Sequence, residues 1–306
     1  NRALEDLQWV WTEARKAGEP LLSPDELIET RVSVARLLRR AGRPDDAANI
    51  FKETKDWLAG LAEENPRLDL ALRRIGLETA RSLIQAGDGV QAAAVLKETL
   101  QGLDLDGPEA KRLAAHANKW QAWIEHQAKR YQEALRLYRN GISLVEHLGP
   151  SLELASLLDG MAMCLSRSEQ FDEAEQALNR ALESARDVGN RETQAGVQAN
   201  LGVLRYRQTR LDESLEHMRK ARQAYESIGN DVLAAACRSN MGDILLEQGK
   251  ADEARAELEA VLPAFRRTRS HDYLIAALQS LLKCLNTLGD KEALEQREAE
   301  LRALSG

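Results

Sequence analysis

Residues 151–190 read SLELASLLDGMAMCLSRSEQFDEAEQALNRALESARDVGN, residues 191–230 read RETQAGVQANLGVLRYRQTRLDESLEHMRKARQAYESIGN, and residues 231–270 read DVLAAACRSNMGDILLEQGKADEARAELEAVLPAFRRTRS. The three blocks are each 40 residues long and align without a gap. Phe171-Asp172-Glu173-Ala174 falls over Leu211-Asp212-Glu213-Ser214 and over Ala251-Asp252-Glu253-Ala254. Self-similarity at a fixed period means stacked copies of one supersecondary unit. The same phrase recurs outside these blocks. Tyr131-Gln132-Glu133-Ala134 lies one period earlier, Pro44-Asp45-Asp46-Ala47 and Val90-Gln91-Ala92 lie further back, and Lys291-Glu292-Ala293 closes the series. The anchors Ala47, Ala92, Ala134, Ala174, Ser214, Ala254 and Ala293 are spaced by 45, 42, 40, 40, 40 and 39 residues, which makes seven units.

Each unit reads as two helices. From Glu192 to Gln208, Ala195, Gln198-Ala199, Gly202 and Arg205-Tyr206 fall on one stripe at helical spacing, with Leu201 and Leu204 beside it. Thr209-Arg210 breaks the pattern, and Leu211-Asp212-Glu213 opens a second helix whose acidic pair suits the positive end of a helix dipole. That helix runs to about Ile228 and stops at Gly229-Asn230, where glycine accepts the left-handed conformation that closes a helix. Pro66, Pro108 and Pro150 each stand just before a first helix, where a missing N–H goes unnoticed. Pro263 falls late in a second helix and is expected to end or bend it. Small residues at Ala35, Ala80, Ala122, Ala162, Gly202 and Gly242 precede the first six anchors by twelve positions, so paired helices are expected to touch there.

Composition agrees with an all-helical reading and narrows the function. The 306-residue chain is rich in leucine and alanine, with only 4% aromatic residues and 7 prolines, which disfavours a β-sandwich or barrel. With 43% hydrophobic and 30% charged residues it is too apolar for a disordered chain. The net charge of −7 argues against direct nucleic-acid binding. No apolar run approaches the ~20 residues of a membrane span, so no membrane role is expected. Cys164, Cys237 and Cys284 are odd in number and far apart, which points to a reducing, cytoplasmic setting rather than a disulfide framework or zinc site. The start, Asn1-Arg2-Ala3-Leu4-Glu5, shows neither an initiator Met nor a signal pattern, and reads as a soluble fragment or processed chain.

These residues resemble the tetratricopeptide repeat family. Gly202 and Gly242 match the small residue of the family's first helix, and Ala174 and Ala254 match the alanine of its second. Leu178, Met218 and Leu258 match the large apolar residue four places on. The usual unit is 34 residues; the longer unit here, with Asn200-Leu201-Gly202 and Asn240-Met241-Gly242, looks like the variant of kinesin light chains, spindle-orientation adaptors and the sensor domains of large bacterial regulators. The resemblance spans residues 25–300 and is weakest in the first two units. The expected fold is therefore all-α, a tetratricopeptide-like superhelix of about seven antiparallel helix pairs. Its units cover about 25–65, 66–107, 108–149, 150–190, 191–230, 231–270 and 271–306. Residues 1–24 would be a capping helix or the end of a truncated unit. The last helix carries Glu and Arg at expected core positions, as a polar terminal cap needs.

No catalytic constellation stands out. The five histidines show neither H-E-x-x-H nor i, i+4 pairing, and the stretch from Gly242 to Gly249-Lys250 lacks phosphate-loop spacing. No catalytic residue, metal or cofactor is expected. What remains is the wall that first helices line in a stacked superhelix, a surface suited to peptides. The resemblance places wall residues at the Asn position and three and seven places on. In order these are Ser33, Arg36, Arg40; Glu78, Arg81, Gln85; Trp120, Trp123, Gln127; Gly160, Met163, Arg167; Asn200, Val203, Arg207; and Asn240, Asp243, Glu247. The stripe is basic and aromatic through five units and turns acidic in the sixth. Asn200 and Asn240 would bond a partner backbone, and Arg36, Arg40, Arg81, Arg167 and Arg207 would take carboxylates, with Trp120 and Trp123 beside them. Each has a plainer alternative: inter-repeat packing for the tryptophans, a solvated face for the arginines, and bonds to a neighbouring helix for the asparagines.

The expected function is a non-catalytic module that binds an extended or acidic segment of a protein or peptide partner, as the scaffold or sensor part of a larger regulatory protein. The alternative is a repeat domain controlling a fused or partner enzyme or DNA-binding domain. Repeat proteins that act on response regulators are a variant of it, but carry an N-terminal bundle that residues 1–24 are too short to supply. Neither the oligomeric state nor the partner's identity follows from the sequence.

Overall fold

A computed structural model describes residues 24–40, 42–62, 66–268 and 270–305. The helix expected in residues 1–17 lies outside the described residues. Fourteen α-helices, one short 3-10 turn and no strand form the regular structure among them. Contacts divide the chain into two compact units, one ending at Gly149 and the other starting at Pro150.

The first unit holds α1 (Pro24–Arg40), α2 (Pro44–Ala62), α3 (Pro66–Gln85), α4 (Gly89–Leu100), α5 (Pro108–Gln127) and α6 (Tyr131–Val145). The second holds α7 (Leu152–Arg167), α8 (Phe171–Asp187), α9 (Arg191–Arg207), α10 (Leu211–Ser227), α11 (Asp231–Glu247), α12 (Ala251–Thr268), α13 (His271–Leu288) and α14 (Lys291–Ser305). Odd-numbered helices are the first members of pairs and even-numbered ones the second. Connections of two or three residues keep the members of a pair antiparallel neighbours. The helices read as Glu192–Gln208 and Leu211–Ile228 are found at Arg191–Arg207 and Leu211–Ser227.

Turn chemistry sets these ends. Gly229 is left-handed at φ 73°, and the Asn230 N–H bonds back to the Tyr225 carbonyl at 2.9 Å. The Asn230 side chain then accepts from the Leu233 N–H at 3.2 Å, so one Gly-Asn pair closes α10 and caps α11. Asn190 caps α9 in the same way, accepting from the Thr193 N–H at 2.8 Å. Within a pair, the turn also needs a left-handed residue. Gly249 supplies it at φ 74°, but forty residues earlier the position is Thr209 at φ 59°. A β-branched residue is strained there. Thr209→Gly is expected to stabilise the second unit by about 1 kcal/mol despite glycine's looser unfolded chain, read from urea denaturation. A loss would mean that the Thr209 hydroxyl, which donates to the Gln208 carbonyl at 2.6 Å, outweighs the strain.

Pair packing follows the small-residue positions. Ala35, Ala80, Ala122 and Ala162 are fully buried, as are Ala47, Ala92, Ala134 and Ala174 on the paired helices. At the next pair Ser214 replaces alanine, and its hydroxyl donates to the Gly202 carbonyl at 2.7 Å. Gly242 lies so close to α12 that a Cβ there would stand 2.6 Å from Leu258 Cγ. Around these contacts the first unit buries Val34, Leu38, Phe51 and Ile75, and the second buries Leu258, Leu262, Phe265, Leu278 and Leu281. Arg205, on the stripe of α9, is also buried, its guanidinium bonded to Glu175 of α8 at 2.8 Å and to Gln208 at 2.9 Å.

Pro263 does not end its helix: α12 runs through it to Thr268. Val261, Leu262 and Phe265 are buried on both sides of it, so burial holds the helix across the missing hydrogen bond. In α14, Leu294, Leu301 and Leu304 face the core, while Arg297 and Glu300 bond each other at 3.2 Å and Glu300 accepts from Arg266 of α12 at 2.6 Å. The polar residues of the terminal helix thus meet as ion pairs across its inner edge.

Candidate functional site

In the first unit four of the expected wall residues meet each other in pairs. Arg36 of α1 bonds Glu78 of α3 through Nε and Nη2, at 3.2 and 3.1 Å. Arg39, which sequence reading passed over, takes the other Glu78 oxygen at 3.2 Å. Gln85 donates to the Arg39 carbonyl at 3.2 Å. The guanidinium of Arg81 lies 5.4 Å from the Trp120 ring centroid and the Lys119 ammonium 4.7 Å from it. Trp120 is half-buried against a cluster containing Ala80, Ala92 and Leu96, whereas Trp123 is exposed. Arg40 ends α1, and its side chain lies outside the described residues.

In the second unit the same positions mix exposed and half-buried side chains. Met163 of α7 and Val203 of α9, forty residues apart at equivalent places, are 44% and 38% exposed. Arg167, at the end of α7, is exposed and makes no hydrogen bond or ion pair among the described residues. Arg207, at the end of α9, donates through Nε at 3.2 Å to the Ser166 carbonyl, which also accepts from the Glu169 N–H at 3.1 Å. That bond holds the guanidinium in place while its terminal nitrogens take no partner among the described residues. Arg167, Arg207, Val203 and Tyr206 line one recess of about 230 Å³ with Met218, Asn240, Asp243 and Ile244. Tyr206 donates from its hydroxyl to Glu247 at 3.3 Å beside it. Asp243 is hydrogen-bonded by Ser280 of α13, and burial raises its pKa above the ordinary carboxylate range despite that bond and nearby Lys283.

Asn200 and Asn240 sit in matching sequence contexts but different surroundings. Asn200 donates to Asp159 of α7 at 2.7 Å and is half-buried. Asn240 is exposed, with its amide 4.0 Å from the Met218 sulfur. The residue forty places after Asp159 is Ala199, which offers no side-chain acceptor, so Asn240 stays open. Asp159 was missed by sequence reading, although a lone carboxylate in the apolar run from Leu157 to Cys164 was a usable signal.

Loss of hydration raises the Asp159 pKa from 3.8 to about 6, and the Asn200 bond offsets only part of that. A carboxyl whose pKa is higher folded than unfolded adds stability below about pH 4, which is lost as pH rises to about 6. Asp159→Asn is therefore expected to be more stable than wild type by about 2 kcal/mol at pH 7.5, with the gap closing by about pH 4. Thermal melts across this range check it. A gap independent of pH would assign the effect to packing.

Among the described residues no group of three or more His, Cys, Asp or Glu side chains is placed to hold a metal, and no helix is long and apolar enough to cross a membrane. A family model described as tetratricopeptide repeat matches residues 112–187 and 193–267, and a second of the same description matches residues 77–142. No curated protein sequence matches the chain significantly. Similar solved structures include a Rap protein complexed with competence and sporulation factor, with TM-score 0.69, 16% identity, and coverage of 92% of this chain and 76% of that one. BtubC (BKLC) from P. vanneervenii has TM-score 0.61 and 20% identity, covering 74% of this chain and 92% of the other. A signal transduction ATPase with numerous domains and a tetratricopeptide repeat sensor, from Pyrococcus horikoshii, has TM-score 0.63 and 15% identity, covering 99% of this chain and 46% of that one. At these identities the likeness is one of fold.

Proposed function

Because the chain belongs to the tetratricopeptide repeat family, whose fold typically serves protein interaction rather than catalysis, we propose that it binds an extended segment of a partner protein on the first-helix face of its second unit. The observation that carries this reading is the recess between Arg167, Arg207 and Asn240, next to exposed Met163 and Val203. Apolar side chains left in water beside guanidinium and amide groups with donors to spare are the makings of a binding surface. In this reading Asn240 bonds the partner backbone, Arg167 and Arg207 take its polar groups, and Met163 and Val203 cover its apolar ones. Asn200 acts indirectly, holding Asp159. In the first unit, Ser33, Arg81, Gln85, Trp123 and Gln127 are exposed wall residues, and Arg36, also exposed, is bonded to Glu78. The Rap protein complexed with a factor supports the general idea of a bound partner on this fold. We place the protein in the cytoplasm, in keeping with three buried free thiols; burial raises Cys164 to about 12 and Cys237 to about 11.

Affinity capture from lysate tests this reading. Wild type is compared with an Arg167→Ala, Arg207→Ala, Asn240→Ala variant that matches it by circular dichroism. The expected result is a protein held by wild type and lost, by about tenfold or more, from the variant. Equal capture by both would move binding to another face. Shared fold with the sensor of a multidomain ATPase favours a second reading, in which a further domain of the same polypeptide occupies this surface. That reading predicts no captured protein that depends on the three residues.

A further inference from the structure

The recess in the second unit is two-signed. Arg167 and Arg207 stand at its rim from the ends of α7 and α9, and Asp243 stands there from α11. No ion pair joins either arginine to Asp243 among the described residues, although all three line the same recess. Opposite charges that share a cavity of about 230 Å³ without meeting leave room for a guest between them. The floor is apolar: Val203, Ile244 and the Met218 side chain. Methionine adapts to the shape of what packs on it.

We propose that this recess selects a partner segment carrying one acidic and one basic residue, four positions apart, with a large apolar side chain midway between them. The inference rests on the binding reading above and names the chemistry of its ligand. The acidic residue meets the two guanidinium groups, of which Arg207 is already aimed by its bond to the Ser166 carbonyl. The basic residue meets Asp243, held by Ser280. A carboxylate stripped of water gains more from a cation than an exposed one does. The large apolar side chain fills the recess over Val203 and Ile244. Spacing follows from the scaffold. Side chains of an extended segment that face one wall lie ~6.7 Å apart, at alternate positions, so acid, apolar residue and base together span ~13 Å, between the ~8–10 Å that separates α9 from α11 and the ~20 Å that separates α7 from α11. A segment of uniform negative charge, the simplest ligand for the arginines alone, would place a carboxylate against Asp243.

An array of capped nine-residue peptides with a central leucine tests this. Glu and Lys are placed at every pair of positions within three residues of that leucine, in both orders, with doubly acidic, doubly basic and uncharged controls. The full chain is the probe. Mixed-charge peptides with the stated spacing are expected to bind about tenfold tighter than any control. The Arg167→Ala, Arg207→Ala variant should lose the preference for Glu and keep that for Lys, and Asp243→Asn should do the reverse. Doubly acidic peptides binding as well as mixed ones, or an intact Lys preference in Asp243→Asn, overturns the proposal. Peptides that bind in the recess without charge preference overturn it while leaving the binding reading in place. Failure of every peptide, uncharged controls included, overturns both.

Discussion

Gly242→Leu is expected to lower the stability of the second unit by about 3 kcal/mol, because it forces α11 and α12 apart. A Cβ at residue 242 would lie 2.6 Å from Leu258 Cγ and 3.0 Å from its Cδ2. Leu258 cannot step aside, since it is fully buried among Val261, Leu262 and Leu281. Gly242→Ala separates the two opposing effects. It meets the same leucine, but regains about 1 kcal/mol of helix propensity, so its net loss should be the smaller one. Urea denaturation of the series Gly, Ala, Leu measures both. Gly202 offers an internal control: there the nearest atom to the added one is the Met218 methyl at 3.0 Å, the movable tip of a flexible side chain, with the Ser214 carbonyl oxygen farther off at 3.3 Å. A Gly202→Ala loss larger than that of Gly242→Ala would contradict this account of the pair contacts.

Phe265→Ala is expected to cost about 4 kcal/mol, the largest effect of any single truncation considered for this chain. The ring is completely buried in the second unit's core and stacks on Tyr273 of α13, with centroids 5.5 Å apart. Its position two residues after Pro263 adds a local consequence. Proline withholds the N–H that would bond the Glu259 carbonyl, so the last turn of α12 depends on side-chain burial. Without Phe265, that turn and the packing of α13 should loosen before the rest of the unit. Repeat stability is close to a sum over units and their interfaces, so the loss should appear as early hydrogen exchange in α12, α13 and α14, with α7 and α8 little changed. Uniform acceleration of exchange throughout the second unit would show that it unfolds in a single cooperative step.

The division between what was legible and what was not follows the range of each interaction. Helix ends could be read because the residues that set them are adjacent, such as Gly229 and Asn230 at the end of α10. Pair contacts could be read because they recur twelve residues apart, as at Ala162 and Ala174. Pro263, expected to end or bend its helix, does not end it, because the burial of Phe265 and its neighbours overrides the local backbone preference. The candidate site was harder still. Its residues were placed on the correct helices, but their partners lie about forty positions away: Glu78 for Arg36, Asp159 for Asn200, and the Ser166 carbonyl for Arg207.

By itself, then, the sequence determined a seven-unit helical repeat, the pairing of its helices and the small residues at their contacts. Each of these is written in spacing, and spacing maps directly onto helix geometry. Only the tertiary structure decided which wall residues remain available. Asn200 and Asn240 look alike along the chain, yet one is bonded to a carboxylate and the other faces solvent, because the neighbouring helix presents Asp159 in one case and Ala199 in the other. Whether a polar group is spent or available depends on what the adjacent helix brings within hydrogen-bonding distance, and that is fixed only when the repeats stack.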